Sequence, residues 1–342
     1  MAYTTIKKPS DYFNTKLYTG TGSELAITGV GFQPDWTWIK RRDAVANGGM
    51  FDNVRGATKL LSSSQTDGEQ TLAQSLKSFD SDGFTLGTGT NGYVNTNGST
   101  TVSWNWLASN TTASNTDGSI TSTVSANTTS GFSIVSYTGT GSVATVGHGL
   151  GVTPKIVLIK NRDDGTTDWL YYTTQIDGSL DSLRFNNTNA KSDSGFSLPT
   201  SSVFSINGSS STGFSGQNYI AYCFAEKKGF SKFGSYIGNG STDGTFVYTG
   251  FKPAFVIIKV SSTTNDWSMY DNQRDPINQV DNYLQPNTSL AEVSDTGKGT
   301  DFLSNGFKLR TTHGTHNTSG ASYIYMAFAE EPLVGDNPCT AR

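Results

Sequence analysis

Apolar residues in this chain fall in short, strand-length bursts, separated by Gly, Asn, Ser and Thr turn signals roughly every ten residues. That spacing predicts many short β-strands. Two bursts, Lys155-Ile-Val-Leu-Ile-Lys160 and Ala254-Phe-Val-Ile-Ile-Lys259, are apolar at consecutive positions, whereas a strand with one wet face alternates. Both faces of these strands are therefore expected to be covered. Val157, Ile159, Val256 and Ile258 are the candidates for contact with a neighbouring unit or another subunit, and a loop of the same unit is the alternative cover. In the related stretch Asp35-Trp-Thr-Trp-Ile-Lys40, Trp36 and Trp38 share one side and Thr37 and Ile39 the other, which predicts burial closer to one-sided.

These bursts belong to a triplicated pattern. A Tyr-x-Gly-x-Gly turn occurs at Tyr18, Tyr137 and Tyr236. A Gly-x-x-Pro word follows, with Pro34, Pro154 and Pro253 opening the apolar strands that end in Lys40, Lys160 and Lys259. A bulky residue comes next, Met50 with Phe51, then Trp169, then Trp267. Phe51-Asp52 precedes Arg55 as Tyr270-Asp271 precedes Arg274, whereas the middle copy has Tyr171-Tyr172 and no matching Arg. A polar-Gly-Phe word (Asp82-Gly83-Phe84, Ser194-Gly195-Phe196, Asn305-Gly306-Phe307) is expected to open a short strand in each copy. Each copy closes on an aromatic-rich strand: Val102–Ala108, Tyr219–Glu226 and Tyr323–Glu330.

The repeat length, roughly 100 residues, suits a β-sandwich. The expected fold is all-β, three tandem antiparallel β-sandwich domains. Residues 1–11 form an N-terminal arm, either an attachment arm or an unattached tail, and 12–109 the first repeat. Residues 110–130 form a Ser/Thr/Asn-rich linker or an added polar strand, 131–227 the second repeat, 228–331 the third, and 332–342 a tail. The short join Lys227 to Phe233 should pack the second and third repeats tightly.

Composition agrees. Charged residues are 15% of 342, against about 25% in ordinary domains, which argues against long surface helices. A net charge of −4 without basic clusters argues against nucleic acid as a partner. No run resembles a membrane span or a signal peptide, so a soluble protein made in a cytoplasm is expected. Cys223 reads as a core residue and Cys339 as a tail thiol.

Reagents for catalysis are scarce, and neither an enzyme nor a cofactor or metal is expected. His148 reads as a turn residue; His313-x-x-His316 reads as a loop in preference to a metal site. Asp163-Asp164 and Asp80-x-Asp82 read as turn acids in preference to a catalytic pair or half of a calcium loop. Trp104 and Trp106 are the visible candidates for stacking on a sugar, but the equivalents Tyr222/Phe224 and Met326/Phe328 are all bulky, which favours a core role. Any ligand would more readily meet the loops that differ between copies, 43–49, 201–216 and 295–300.

The opening MAYTTIKKPSDYFNTKLYTGTG, then GVGFQPDWTWIKRR, SFDSDGFTLG, WNWLAS, DGSITSTVSANTTSGFSIVSYTGTGSVATVGHGLGVTPKIVLIKNRD and the AFAE-type ending resemble a family of marine bacteriophage virion structural proteins, of the cyanophage and pelagiphage kind, with a repeated domain of unknown function. The resemblance covers almost the whole chain and implies a concanavalin-like sandwich and a place in the virion. It implies a tail fibre or capsid decoration acting by binding to other virion proteins, in a homo-oligomer that would be a trimer in a fibre. It carries no ligand residues with it. A lectin-like adhesin for host glycans is the alternative, and a polysaccharide depolymerase a more distant one.

Overall fold

A computed structural model describes residues 3–89 and 94–335. The last residues, with Cys339, lie outside that range. The chain is all-β and built from antiparallel sheets. One four-strand order occurs three times: an entry strand pairs with the closing strand, the closing strand with the lysine-ended strand, and that strand with a fourth. In unit 1 these are Phe13–Thr19, Thr100–Trp106, Trp36–Arg41 and Gly49–Asp52. In unit 2 they are Phe132–Thr138, Asn218–Phe224, Ile156–Asn161 and Leu170–Thr173. In unit 3 they are Ser231–Ile237, Ser322–Pro332, Phe251–Val260 and Ser268–Asp271.

The register shows which side chains share a face. Trp36 and Trp38 stand beside Trp106 and Trp104, Ile156 and Leu158 beside Phe224 and Tyr222, Phe255 and Ile257 beside Phe328 and Met326. All twelve belong to one hydrophobic cluster shared by the three units. Trp36 has ring neighbours in two units: Trp106 at 4.3 Å in its own, and Tyr222 at 4.6 Å with Phe132 at 5.8 Å in unit 2. Unit 3 joins through Phe255 against Trp104 (5.5 Å) and Phe328 against Phe224 (6.1 Å). Trp36→Ala would remove roughly 3–5 kcal/mol, the usual cost of emptying a large core site.

The opposite faces fill three separate cores. Val157 and Ile159 lie in the core of unit 2, and Val256 and Ile258 in that of unit 3. Both faces are covered as expected, but the sets are reversed: the residues meeting a neighbouring unit are Ile156, Leu158, Phe255 and Ile257. With both faces apolar, alternation carries no label for inside and outside. The first strand differs from expectation too, since Thr37 and Ile39 are as buried as the tryptophans.

A smaller sheet covers each outward face. In unit 1 it is Leu25–Ile27, Gly83–Leu86 and Leu76–Asp80, and in unit 3 Phe246–Tyr248, Gly306–Leu309 and Thr300–Leu303. Unit 2 has two strands, Ala144–Gly147 and Val203–Ile206. Phe84 follows Thr71 by 13 positions and Phe307 follows Ser294 by 13, but Phe204 follows Asp193 by 11. The shorter connection lacks the hairpin. Ser194-Gly195-Phe196 therefore opens no strand; Phe204 takes the place of Phe84 and Phe307 beside the partner strand, and Phe196 drops onto Tyr172 with ring centroids 5.4 Å apart.

The flanking segments are built in. Ala113–Asn115 and Ser122–Asn127 extend the main sheet of unit 2, so residues 110–130 supply added strands. Ile6 is part of the shared core, and the Tyr3 hydroxyl donates to Gly250 O at 2.7 Å, so the arm lies along unit 3. At the tight join, Phe230 and Phe233 enter the same core.

Candidate functional site

The chemistry-bearing side chains concentrate where units meet. Each lysine-ended strand carries its ammonium to the boundary with the preceding unit. Lys40 Nζ donates to Thr288 O of unit 3 (2.7 Å), Lys160 Nζ to Thr66 O of unit 1 (2.7 Å), and Lys259 Nζ to Thr188 O of unit 2 (3.3 Å). Further carbonyls complete the shells: Ala46 O for Lys40, Thr167 O for Lys160 and Val260 O for Lys259. All three are fully buried, and burial pulls each ammonium down to about 8. A buried cation surrounded by carbonyls, most of them from loops, is a staple: it satisfies acceptors at the boundary.

Two positions beyond the lysine, backbone bonds repeat the same cycle. Glu69 N donates to Arg162 O (2.7 Å), Lys191 N to Ser261 O (2.8 Å) and Glu292 N to Arg42 O (2.8 Å). Unit 1 thus grips unit 2, unit 2 grips unit 3, and unit 3 grips unit 1. The ring closes on itself. At two junctions a bidentate arginine adds to this bond, Arg162 on Glu69 and Arg42 on Glu292. Burial works against charge on Glu69 and Glu292, yet the adjoining arginines outweigh it and hold both carboxyls below their usual range.

The Asp-x-x-Arg words sit at the same two junctions. Arg55 folds back on Asp52, and Asp52 Oδ2 accepts from the Tyr222 hydroxyl of unit 2 at 2.8 Å. Arg274 folds back on Asp271, which accepts from Trp104 Nε1 of unit 1 at 3.0 Å. Both pairs are wholly buried, and each arginine reaches on to the neighbouring glutamate. At the third junction, register puts Thr173 where the others have Asp, Ile176 where they have Arg, and Met326 where they have Tyr or Trp. The polar set is absent there as a set.

Indole bonds also cross the boundaries: Trp169 Nε1 donates to Ser62 O (2.7 Å) and Trp267 Nε1 to Arg184 O (3.0 Å). Their counterpart in unit 1 is Gly48, one residue before Gly49, not the bulky Met50 or Phe51; Ser63 Oγ donating to Pro286 O (3.0 Å) serves that junction. Loop 43–49, expected as a place for ligand, is part of this contact, with Ala46 bonded to Ser289.

The remaining candidates have settled roles. Trp104, Trp106, Tyr222, Phe224, Met326 and Phe328 are buried. Cys223 is buried, and burial pushes its thiol up. His148 bonds to Thr200 O and accepts from Leu150 N. His316 is buried in a relay, with Tyr270 Oη 2.9 Å from Nε2 and Thr315 Oγ1 2.6 Å from Nδ1, and Thr315 in turn meets His313. Burial, then His313 and Lys298, push His316 down to about 3, a neutral ring with both nitrogens engaged. Asp82 accepts from Gly29 N and Gly31 N, Asp80 from Ser78 and Thr85, Asp163 from Asn218 and Asp164 from Thr166. Asp177, Asp181 and Asp193 converge with oxygens within 4.8 Å, and the Lys191 ammonium binds among them, 2.9 Å from Asp181.

Residues 8–332 match the model of DUF7483, a domain of unknown function. The chain belongs to the DUF7483 family. That single match takes in all three units of the DUF7483 chain and the strands between the first two. No curated protein and no solved structure matches it. Among the described residues, no helix is long and apolar enough to cross a membrane.

Proposed function

We propose that this DUF7483 chain is a bacteriophage virion structural protein, a tail-fibre or capsid-surface component that works by binding, and that its three units are concanavalin-like β-sandwich modules. The observation that supports this is the closed ring. Lysines, arginines and aromatic N–H and O–H groups that elsewhere serve chemistry are here spent on holding three units around one aromatic core. A module of this kind is stiff and resists local opening, as a particle component must. The threefold arrangement that a fibre obtains by trimerisation stands within one chain, so contacts with other virion proteins, and homo-oligomers including a trimer, would use the outer surface and not the shared core. Mass spectrometry and immunogold microscopy of purified particles of the encoding phage test this reading. Labelled particles are expected, and particles lacking the chain would overturn it.

A further inference from the structure

Unit 2 differs from its neighbours at one place on its outer surface. The fourth strands align Phe51, Tyr172 and Tyr270 at one register position, opposite Thr37, Val157 and Val256. In unit 1 that residue is Phe and lies in a core with Leu76 and Phe84 of the covering sheet. In unit 3 the Tyr270 hydroxyl donates to Lys298 O at 2.8 Å and meets His316. In unit 2 the covering hairpin is missing, and Tyr172 lines a groove of about 190 Å³. Tyr172 is 5% exposed, and its hydroxyl, which makes no hydrogen bond among the described residues, opens to the groove.

Phe196 and Leu170 supply the apolar surface of this groove, and Ser, Asn, Asp and Arg side chains the rest, among them Asn207, Ser211 and Arg184. Asn207 and Ser211 come from loop 201–216, one of the segments that differ between copies. An aromatic wall beside many short hydroxyl and amide groups matches the two faces of a pyranose ring: C–H groups lie against the aromatic, and ring hydroxyls exchange hydrogen bonds with the rim. The Tyr172 hydroxyl, open to the groove, adds a donor and acceptor there.

We propose that this groove on unit 2 binds a saccharide, one ring seated against Phe196 and bonded to the Tyr172 hydroxyl. The inference deepens the binding role proposed above and gives it a substrate class. The full-length chain, fluorescently tagged, is tested on a printed array of bacterial O-antigen and capsular oligosaccharides, and the strongest oligosaccharide is then titrated calorimetrically. Two variants accompany it: Tyr172→Phe, which installs the residue unit 1 already has, and Ser211→Trp, which fills the groove. Binding is expected for the native chain, roughly tenfold weaker for Tyr172→Phe on loss of one hydrogen bond to the ligand, and absent for Ser211→Trp, with thermal midpoints unchanged. An array without a hit, or affinity unaltered in both variants, overturns the proposal. A blank array with labelled particles removes the groove and keeps the virion role; a hit with unlabelled particles does the reverse.

Discussion

The Tyr222 hydroxyl of unit 2 donates to Asp52 Oδ2 of unit 1 at 2.8 Å, deep between two sheets, while Asp52 also holds Arg55. Trp104 and Asp271 repeat the relationship at another junction, and Met326 and Thr173 replace it at the third. The same backbone boundary is thus closed by a buried ionic cluster or by apolar side chains.

That equivalence makes a prediction about cost. Arg55→Ile alone strands the Asp52 carboxylate in the interior and should destabilise by about 3–5 kcal/mol. The triple change Asp52→Thr, Arg55→Ile, Tyr222→Met copies the third junction and should bring stability back to within about 1 kcal/mol of native, as buried ion clusters often exchange for packed apolar groups. Chemical denaturation of both variants reads this, and a triple variant no better than the single one would sink it.

The staple lysines should titrate abnormally. Burial holds Lys40, Lys160 and Lys259 at about 8 in the native chain, against 10.5 for a free lysine. From pH 8 to 10.5 the unfolded chain binds protons that the native lysines have released, so their contribution to stability grows with pH across that window and is lost as pH falls through 8. Carbon-13 NMR of lysine Cε should show three midpoints near 8, and midpoints all near 10.5 would refute it. Replacing Lys160 by Met leaves Thr66 O and Thr167 O short of a donor and should cost about 1–3 kcal/mol.

Asp35 behaves in the opposite sense. It is buried at the exit from unit 1, where it accepts from Ala108 N and Asn110 N, and burial outweighs those bonds, pushing the carboxyl up to about 6. Its contribution to stability is therefore complete below pH 3.8 and disappears as pH rises through 6. Asp35→Asn should flatten that part of the stability profile, removing a swing of up to about 3 kcal/mol. Denaturant midpoints at pH 4, 5, 6 and 7, taken for both proteins, check it.

One core shared by three units should melt as one. Calorimetry is expected to give a single transition whose van't Hoff and calorimetric enthalpies agree. Residues 131–227 expressed alone would expose Ile156, Leu158, Tyr222 and Phe224, and should aggregate or remain loosely packed. Three resolved transitions, or a well-ordered fragment, would count against the shared core.

The triplicate words were legible because turns and strand ends are written locally. The three lysines and the closing strands mark equivalent places in space, and Pro34 and Pro154 each stand just before their strand, whereas Pro253 lies within Phe251–Val260 at a register shift and does not open it. What escaped was which face looked inward, because Ile156-Val157-Leu158-Ile159 carries no polar residue to mark a side. The word Ser194-Gly195-Phe196 misled because its equivalence depends on a hairpin that two missing residues remove. Ring closure escaped as well. It rests on pairs such as Arg42 with Glu292, whose separation of 250 positions leaves no local trace.

Joining the units in one polypeptide gives each corner its own codons. A homotrimer must write every change three times, but here one corner has no hairpin and another no ion cluster while the rest keep theirs. The three rotational settings of the ring are therefore distinguishable, and the open face of the middle unit occurs once per molecule.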